Sequence, residues 1–278
     1  MSLTDLCLAL QVSRSGHHAH NRKPRRKRRQ QDTVLAAALC EEFAASRGTY
    51  GSPRLVCALR DRGMHHGKNR VRRLMLQQQL CVRQKRRFVP RTTQANKTSS
   101  PSPNLLADAA TPTKPNEAWV TDITYLPTGE GWLYLAAEMD LYSRRILGWD
   151  TSSSLATELP SSALQRALAT RRGSDLAGLL HHSDRGCQYT SGDFRHQLGT
   201  QRITQSMSRA GNCYDNAAIE SFWATLKTEC FNGLIPATRA QAHSMVFDYI
   251  ETFYNPVRKH SSLAMLSPAA FENSHSNN

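Results

Sequence analysis

The sequence predicts a chain in two parts: a small, basic, all-α module of helix-turn-helix type, followed by a larger α/β domain. Three observations predict it. First, the charge is unevenly placed. Of 278 residues, 36 are Lys or Arg and 22 are Asp or Glu, giving a formal net charge of +14. Residues 1–118 carry 23 basic and 7 acidic side chains and residues 119–278 carry 13 and 15, so the whole excess lies in the first part. Second, the composition turns to Ser, Thr, Pro and Asn over 91–117, where Leu105 and Leu106 are the one substantial apolar pair. Third, the apolar periodicity changes from helical to alternating at Trp119. A basic region joined to a near-neutral domain points to nucleic acid as a partner.

The elements follow in order. Residues 1–31 form a basic arm ending in the run Arg22 to Arg29, in which only Pro24 is neither Lys nor Arg. Such a block is either solvated or held by an anion, and Arg25, Arg26, Lys27, Arg28 and Arg29 are candidate contacts to a DNA backbone. The helical module spans 32–90. Its first helix is expected from Asp32, as N-cap, to Ala45. Two short helices follow, Arg54 to Arg60 and Lys68 to Gln79, separated by a turn at Gly63. The second offers Lys68, Arg70, Arg72 and Arg73 to phosphates or a groove. A linker, 91–117, leads to the α/β domain over 118–278.

That domain opens with three strands, Trp119 to Leu126, Trp132 to Met139 and Arg145 to Trp149, the first two joined by a turn at Gly129 and Gly131. A helix over Ala156 to Thr170 has Leu159, Ala163, Leu164 and Ala167 on its apolar stripe. The apolar run Leu176 to Leu180 reads as a further strand leading into His181, His182, Ser183 and Asp184. A helix from Asn216 to Glu229 carries Glu220, with Asn216 as its expected cap.

Several classes are excluded. No run of about 18 apolar residues exists, so no membrane-spanning helix is expected. Met1 to Gln11 lacks the basic start and small-residue cleavage site of a secretory signal, and an intracellular protein is expected. The seven cysteines are odd in number and contain no Cys-x-x-Cys pair, against a disulfide framework or a compact zinc site.

The chemistry lies in three acids on otherwise apolar elements. Asp122 is inside a strand, Asp184 follows one and Glu220 is near a helix start, with 61 residues between the first two and 35 between the last two. Carboxylates are hard ligands for Mg²⁺, and two such ions can activate an attacking oxygen and stabilise a leaving one in phosphoryl transfer. The spacing resembles the D,D-35-E active site of polynucleotidyl transferases. The surrounding words are more specific: Asp-Ile-Thr-Tyr at 122–125, His-Ser-Asp-Arg-Gly-Cys-Gln-Tyr-Thr-Ser at 182–191, and the stretch from Ser208 through Glu220, Ser221, Phe222 and Trp223 to Lys227. They resemble the catalytic blocks of the second-frame (orfB-type) DDE transposase of the insertion-sequence-three family. Tyr254 and Asn255 with Arg258, His260, Ser261, Ser262 and Leu263 resemble its C-terminal block, and Tyr50 and Gly51 through Met75 its N-terminal helical module.

The resemblance implies an RNase H-like catalytic core with a mixed sheet, in which Asp122, Asp184 and Glu220 hold two Mg²⁺ or Mn²⁺ ions. It implies cleavage at the terminal inverted repeats of the element and transesterification into target DNA. Lys227 matches the family's basic residue seven positions after the glutamate, and two helical turns would keep both on one face to hold a phosphate. The partners implied are element and target DNA, an upstream first-frame protein or fusion, and further copies assembled on DNA, in the bacterial cytoplasm at the nucleoid. His182 is expected either to touch phosphate or water or to be a bonded structural histidine. Arg258 and His260 either face DNA or close the C-terminal fold. A catalytically inactive DNA-binding regulator is the competing function. A retroviral-type integrase would carry a His-His-Cys-Cys zinc module, for which no Cys-x-x-Cys exists here.

Overall fold

The computed structural model describes residues 2–20, 23–82, 102–107, 109–208 and 216–275, with only the backbone at 23–27 and 275. Two compact units emerge, Met1–Val82 and Arg83–Asn278. The first contains α1 (Leu3–Ala9), α2 (Arg14–His20), α3 (Lys23–Ala45), α4 (Ser52–Asp61) and α5 (Lys68–Gln77). The core joining α3, α4 and α5 is aliphatic: Leu35, Leu39, Leu55, Leu59 and Val71 are fully buried. Gly63 ends α4 at φ +75°, which frees the Met64 N–H to reach the Leu59 carbonyl at 2.8 Å.

One boundary differs from expectation. The helix does not begin at Asp32 but at Lys23, because Lys and Arg are good helix formers and the basic run continues the helix rather than stopping short of it. Asp32 is therefore no cap. From mid-helix its carboxylate accepts from Arg70 Nε at 2.8 Å and Arg73 Nη2 at 2.6 Å, pinning α5 to α3.

The second unit is built on a five-stranded mixed sheet of β1 (Ala118–Thr128), β2 (Gly131–Asp140), β3 (Ile146–Ser152), β4 (Leu180–Ser183) and β5 (Thr204–Met207), in the order β3-β2-β1-β4-β5. The first three are an antiparallel meander, while β4 runs parallel to β1 and β5 parallel to β4. With the helices that cover it, this is an RNase H-like arrangement, and it puts β1 at the centre. On one face lies α6 (Glu158–Thr170), so close that a Cβ on Gly148 would meet the Ala163 carbonyl and the Ala167 nitrogen at 2.3 Å. Trp119, Leu164, Phe194 and Leu198 fill this core, the last two from α7 (Gly192–Thr200). Toward the other face come α8 (Ala217–Leu226), which continues into a π-helical turn over Lys227–Phe231, and α9 (Arg239–Phe247), which continues into another over Asp248–Tyr254. Trp149 packs there on His243 and donates its indole N–H to Glu251 at 2.7 Å. The last helix, α10 (Pro268–His275), is anchored by Glu272, whose carboxylate takes Arg145 at 3.1 Å and both ends of the Arg171 guanidinium.

Two further expectations are corrected. Leu176 to Leu180 is not a strand: Gly178 at φ +82° and a Leu179 N–H to Leu176 carbonyl bond make a turn, and β4 starts only at Leu180. Leu176 and Leu179 are buried all the same, and a short apolar run does not by itself distinguish a strand from a packed turn. The proposed linker is also more than a connector. Its first part lies outside the described residues, but Ser102 bonds Gln205, the Pro103 carbonyl accepts from Met207 N–H, and Leu105 and Leu106 donate to Ser206 Oγ, all on β5.

Candidate active site

The sheet register brings the two aspartates together. Val120 on β1 pairs with His182, the last pair between β1 and β4; Asp122 lies two residues further along β1, and Asp184 follows directly after the end of β4 at Ser183. The end of β4 thus delivers Asp184 to the neighbourhood of Asp122, whose carboxyl feels its charge. Burial, then the Asp184 charge, raises Asp122 from the usual carboxylate range to about 7, with a smaller push from Glu220. Burial likewise raises Asp184, against the Gly186 N–H that donates to its Oδ1 at 2.9 Å.

Glu220 arrives on the exposed first turn of α8, and partial desolvation raises its carboxyl too. The same helix reaches β1 through Trp223, whose Nε1–H donates to Asp122 Oδ2 at 3.0 Å. Lys227 follows at the start of the π turn, with Nζ 5.4 Å from the Tyr125 ring centre; burial lowers its pKa and the Asp122 charge opposes that. Among the described residues no three His, Cys, Asp or Glu side chains are gathered tightly enough to enclose one ion. The donor set nevertheless suits a divalent cation: three hard carboxylates, all raised above their ordinary pKa, are groups whose ionised forms a cation would stabilise.

The sequence matches two Integrase core domain families, over residues 112–213 and 201–268, and an HTH-like domain family over 29–88. It is 42% identical over 266 residues to the insertion element IS600 uncharacterized 31 kDa protein of Shigella sonnei, covering 96% of this chain and 97% of that protein. It is 40% identical over 278 residues to transposase InsF for insertion sequence IS3A of Escherichia coli strain K12, covering 98% and 94%. The chain belongs to the IS3 family of insertion-sequence transposases. A chain of the simian T-cell lymphotropic virus intasome aligns with 64% of it and 60% of its own length, at 17% identity and a TM-score of 0.48.

In this IS3-family transposase the other expected site residues fall into distinct groups. Arg28 and Arg29 are exposed on α3, while the side chains of Arg25, Arg26 and Lys27 lie outside the described residues. On α5, Lys68 and Arg72 are exposed. Arg73 is exposed as well and Arg70 is half-buried, and both are paired with Asp32, at 2.6 and 2.7 Å. His182 is fully buried between Ser206 Oγ at 2.9 Å and Ser208 Oγ at 3.3 Å, so it is the structural histidine of the two alternatives. Arg258 closes the C-terminal fold: it is buried and makes a two-point pair with Glu229 at 2.6 Å, with Tyr249 donating to the same carboxylate. Asn216 makes no side-chain cap bond, since its φ −105°, ψ 7° is not the extended geometry that aims a cap side chain into the helix. Gly211 and Cys213 lie outside the described residues. Among the described residues no helix is long and apolar enough to cross a membrane.

Trp223 and the Gly186 N–H are the contacts that sequence reasoning did not assign to the acids. The signal for Trp223 was its place three residues after Glu220, which is one face of a helix, but an aromatic at helical spacing reads first as core.

Proposed function

We propose that this transposase cleaves DNA at the terminal inverted repeats of its element and joins the freed 3′-hydroxyl to target DNA by transesterification, with Asp122, Asp184 and Glu220 as the acidic set. The observation that carries the reading is the convergence of Asp122 on β1 with Asp184, just past the end of the parallel strand β4, and with the Glu220 helix, which is tied to β1 through Trp223. Two Mg²⁺ or Mn²⁺ ions held by these carboxylates would supply charge neutralisation at the scissile phosphate and a more nucleophilic oxygen. The chain's own groups do the rest. The Gly186 N–H orients Asp184. Lys227, half-buried beside Asp122, is placed to hold a phosphate of the strand being cut. Arg28, Arg29, Lys68 and Arg72 supply backbone contacts from the helical module. Assembly of several copies on DNA, an upstream first-frame protein and a place at the bacterial nucleoid complete the proposal.

The test is strand transfer by the full chain, alone and fused to its upstream frame, on labelled element ends with Mg²⁺. Asp184→Asn and Glu220→Gln should abolish joining while DNA binding persists. Equal joining by both variants, or joining without divalent metal, would falsify the mechanism. Binding without joining in every form, the parent included, would favour the regulator.

A further inference from the structure

Trp223 is 5% exposed and makes a polar contact in an otherwise apolar setting. Its ring packs on Phe222 at 4.9 Å, and Phe222 packs on Tyr254 at 4.7 Å, so the indole is held by an aromatic stack that continues into the C-terminal block. A phenylalanine would keep an aromatic ring in that stack but bring no donor. The indole N–H adds a directed donor, and the acceptor is Oδ2 of Asp122 on the central strand. Trp223 also stands three residues after Glu220 and four before Lys227, so one hydrogen bond links the strand-borne acid to the helix bearing the other two functional groups.

We propose that Trp223 is a positioning residue for Asp122: its N–H holds Oδ2, so that the carboxylate is oriented for a divalent cation, and ties β1 to α8. The proposal rests on the metal-binding reading of Asp122. Ligating carboxylates are themselves hydrogen-bonded, and removing such a partner typically weakens metal binding by roughly 10–100-fold.

The experiment uses the full-length chain and Mn²⁺ alone, with free Mn²⁺ followed by electron paramagnetic resonance. Trp223→Phe should weaken Mn²⁺ binding at least about tenfold, and Asp122→Asn should remove the site. Replacing the indole by benzothienylalanine, which exchanges N–H for sulfur in the same ring shape, isolates the donor and serves if Trp223→Phe fails to fold. Parental Mn²⁺ affinity in the benzothienyl protein, with binding lost in Asp122→Asn, overturns the role of Trp223 alone. Undiminished binding in Asp122→Asn overturns the metal reading and this proposal with it.

Discussion

The backbone N–H of Gly186 donates to Asp184 Oδ1 at 2.9 Å, and a Cβ on residue 186 would lie 3.0 Å from that same oxygen. It would also meet Gln188 Oε1 at 2.9 Å. Gln188 is buried, with its amide toward the Leu155 carbonyl, and the carboxylate is held by the Gly186 bond itself. Gly186→Ala should therefore turn Asp184 and reduce strand transfer by roughly 10–100-fold, the usual range for a disturbed partner of a ligand. The loop is at the surface of the core, so thermal stability should change by no more than about 1 kcal/mol. Parental joining rates in Gly186→Ala would show that this contact does not orient the acid.

Asp122 should make the metal-free protein less stable as pH rises. Its carboxyl titrates near 3.8 in an unfolded chain and is pushed up to about 7 here by burial and by Asp184. The folded state then binds the proton more tightly, so stability falls as pH rises through that interval. Without metal, scanning calorimetry should show the parent losing stability over this range and Asp122→Asn losing less. Saturating Mg²⁺ near neutral pH should raise the parent's stability, by about 2.7 kcal/mol at one hundred times the dissociation constant, and leave Asp122→Asn unmoved. Similar pH curves for the two proteins would contradict the assignment.

On α5, neighbouring cations should behave differently. Lys68→Ala and Arg72→Ala remove exposed charges and should each lower the salt slope of DNA binding by about one, without affecting the fold. Arg70→Ala leaves Asp32 with Arg73 alone and should cost about 1 kcal/mol in urea denaturation, a modest figure because the pair is partly exposed. If Arg70→Ala instead changed the salt slope with stability intact, the pair with Asp32 would not be its main role.

Much of this was legible in the sequence, for physical reasons. Asp122, Asp184 and Glu220 stood out as candidates through their spacing and the residues around them, and the central strand because its apolar residues alternate. The start of α3 was hidden because Asp32 is as good a cap as it is a salt-bridge acceptor, and only Arg70 and Arg73 in space decide between them. β5 was missed because four residues, Thr204–Met207, are too few to show a period. Trp223 and Gly186 escaped assignment because their contacts are directional, and spacing along a chain carries no direction.

Glu272 should give the C-terminal helix an acid-sensitive anchor. Burial alone would raise its carboxyl, but Arg171 and then Arg145 outweigh that and hold it below its ordinary value. Its contribution is thus complete above the unfolded value of 4.5 and is lost as pH falls through the lower folded value. Glu272→Gln should cost about 2–3 kcal/mol at neutral pH, the scale of hydrogen bonds to charged groups. That difference should shrink on acidification. A difference that stays constant with pH would mean that the carboxylate charge is not what holds α10.

The bonds from Ser102, Pro103, Leu105 and Leu106 to β5 bear on how the catalytic core can be isolated. β5 is the last strand in the sheet order, and an uncovered outer strand is a template for pairing with another molecule. A fragment begun at residue 118, where the alternating pattern suggests a clean start, would keep all five strands yet strip this cover. Such a fragment would be prone to self-association through β5, whereas one begun before Ser102 would carry its own protection.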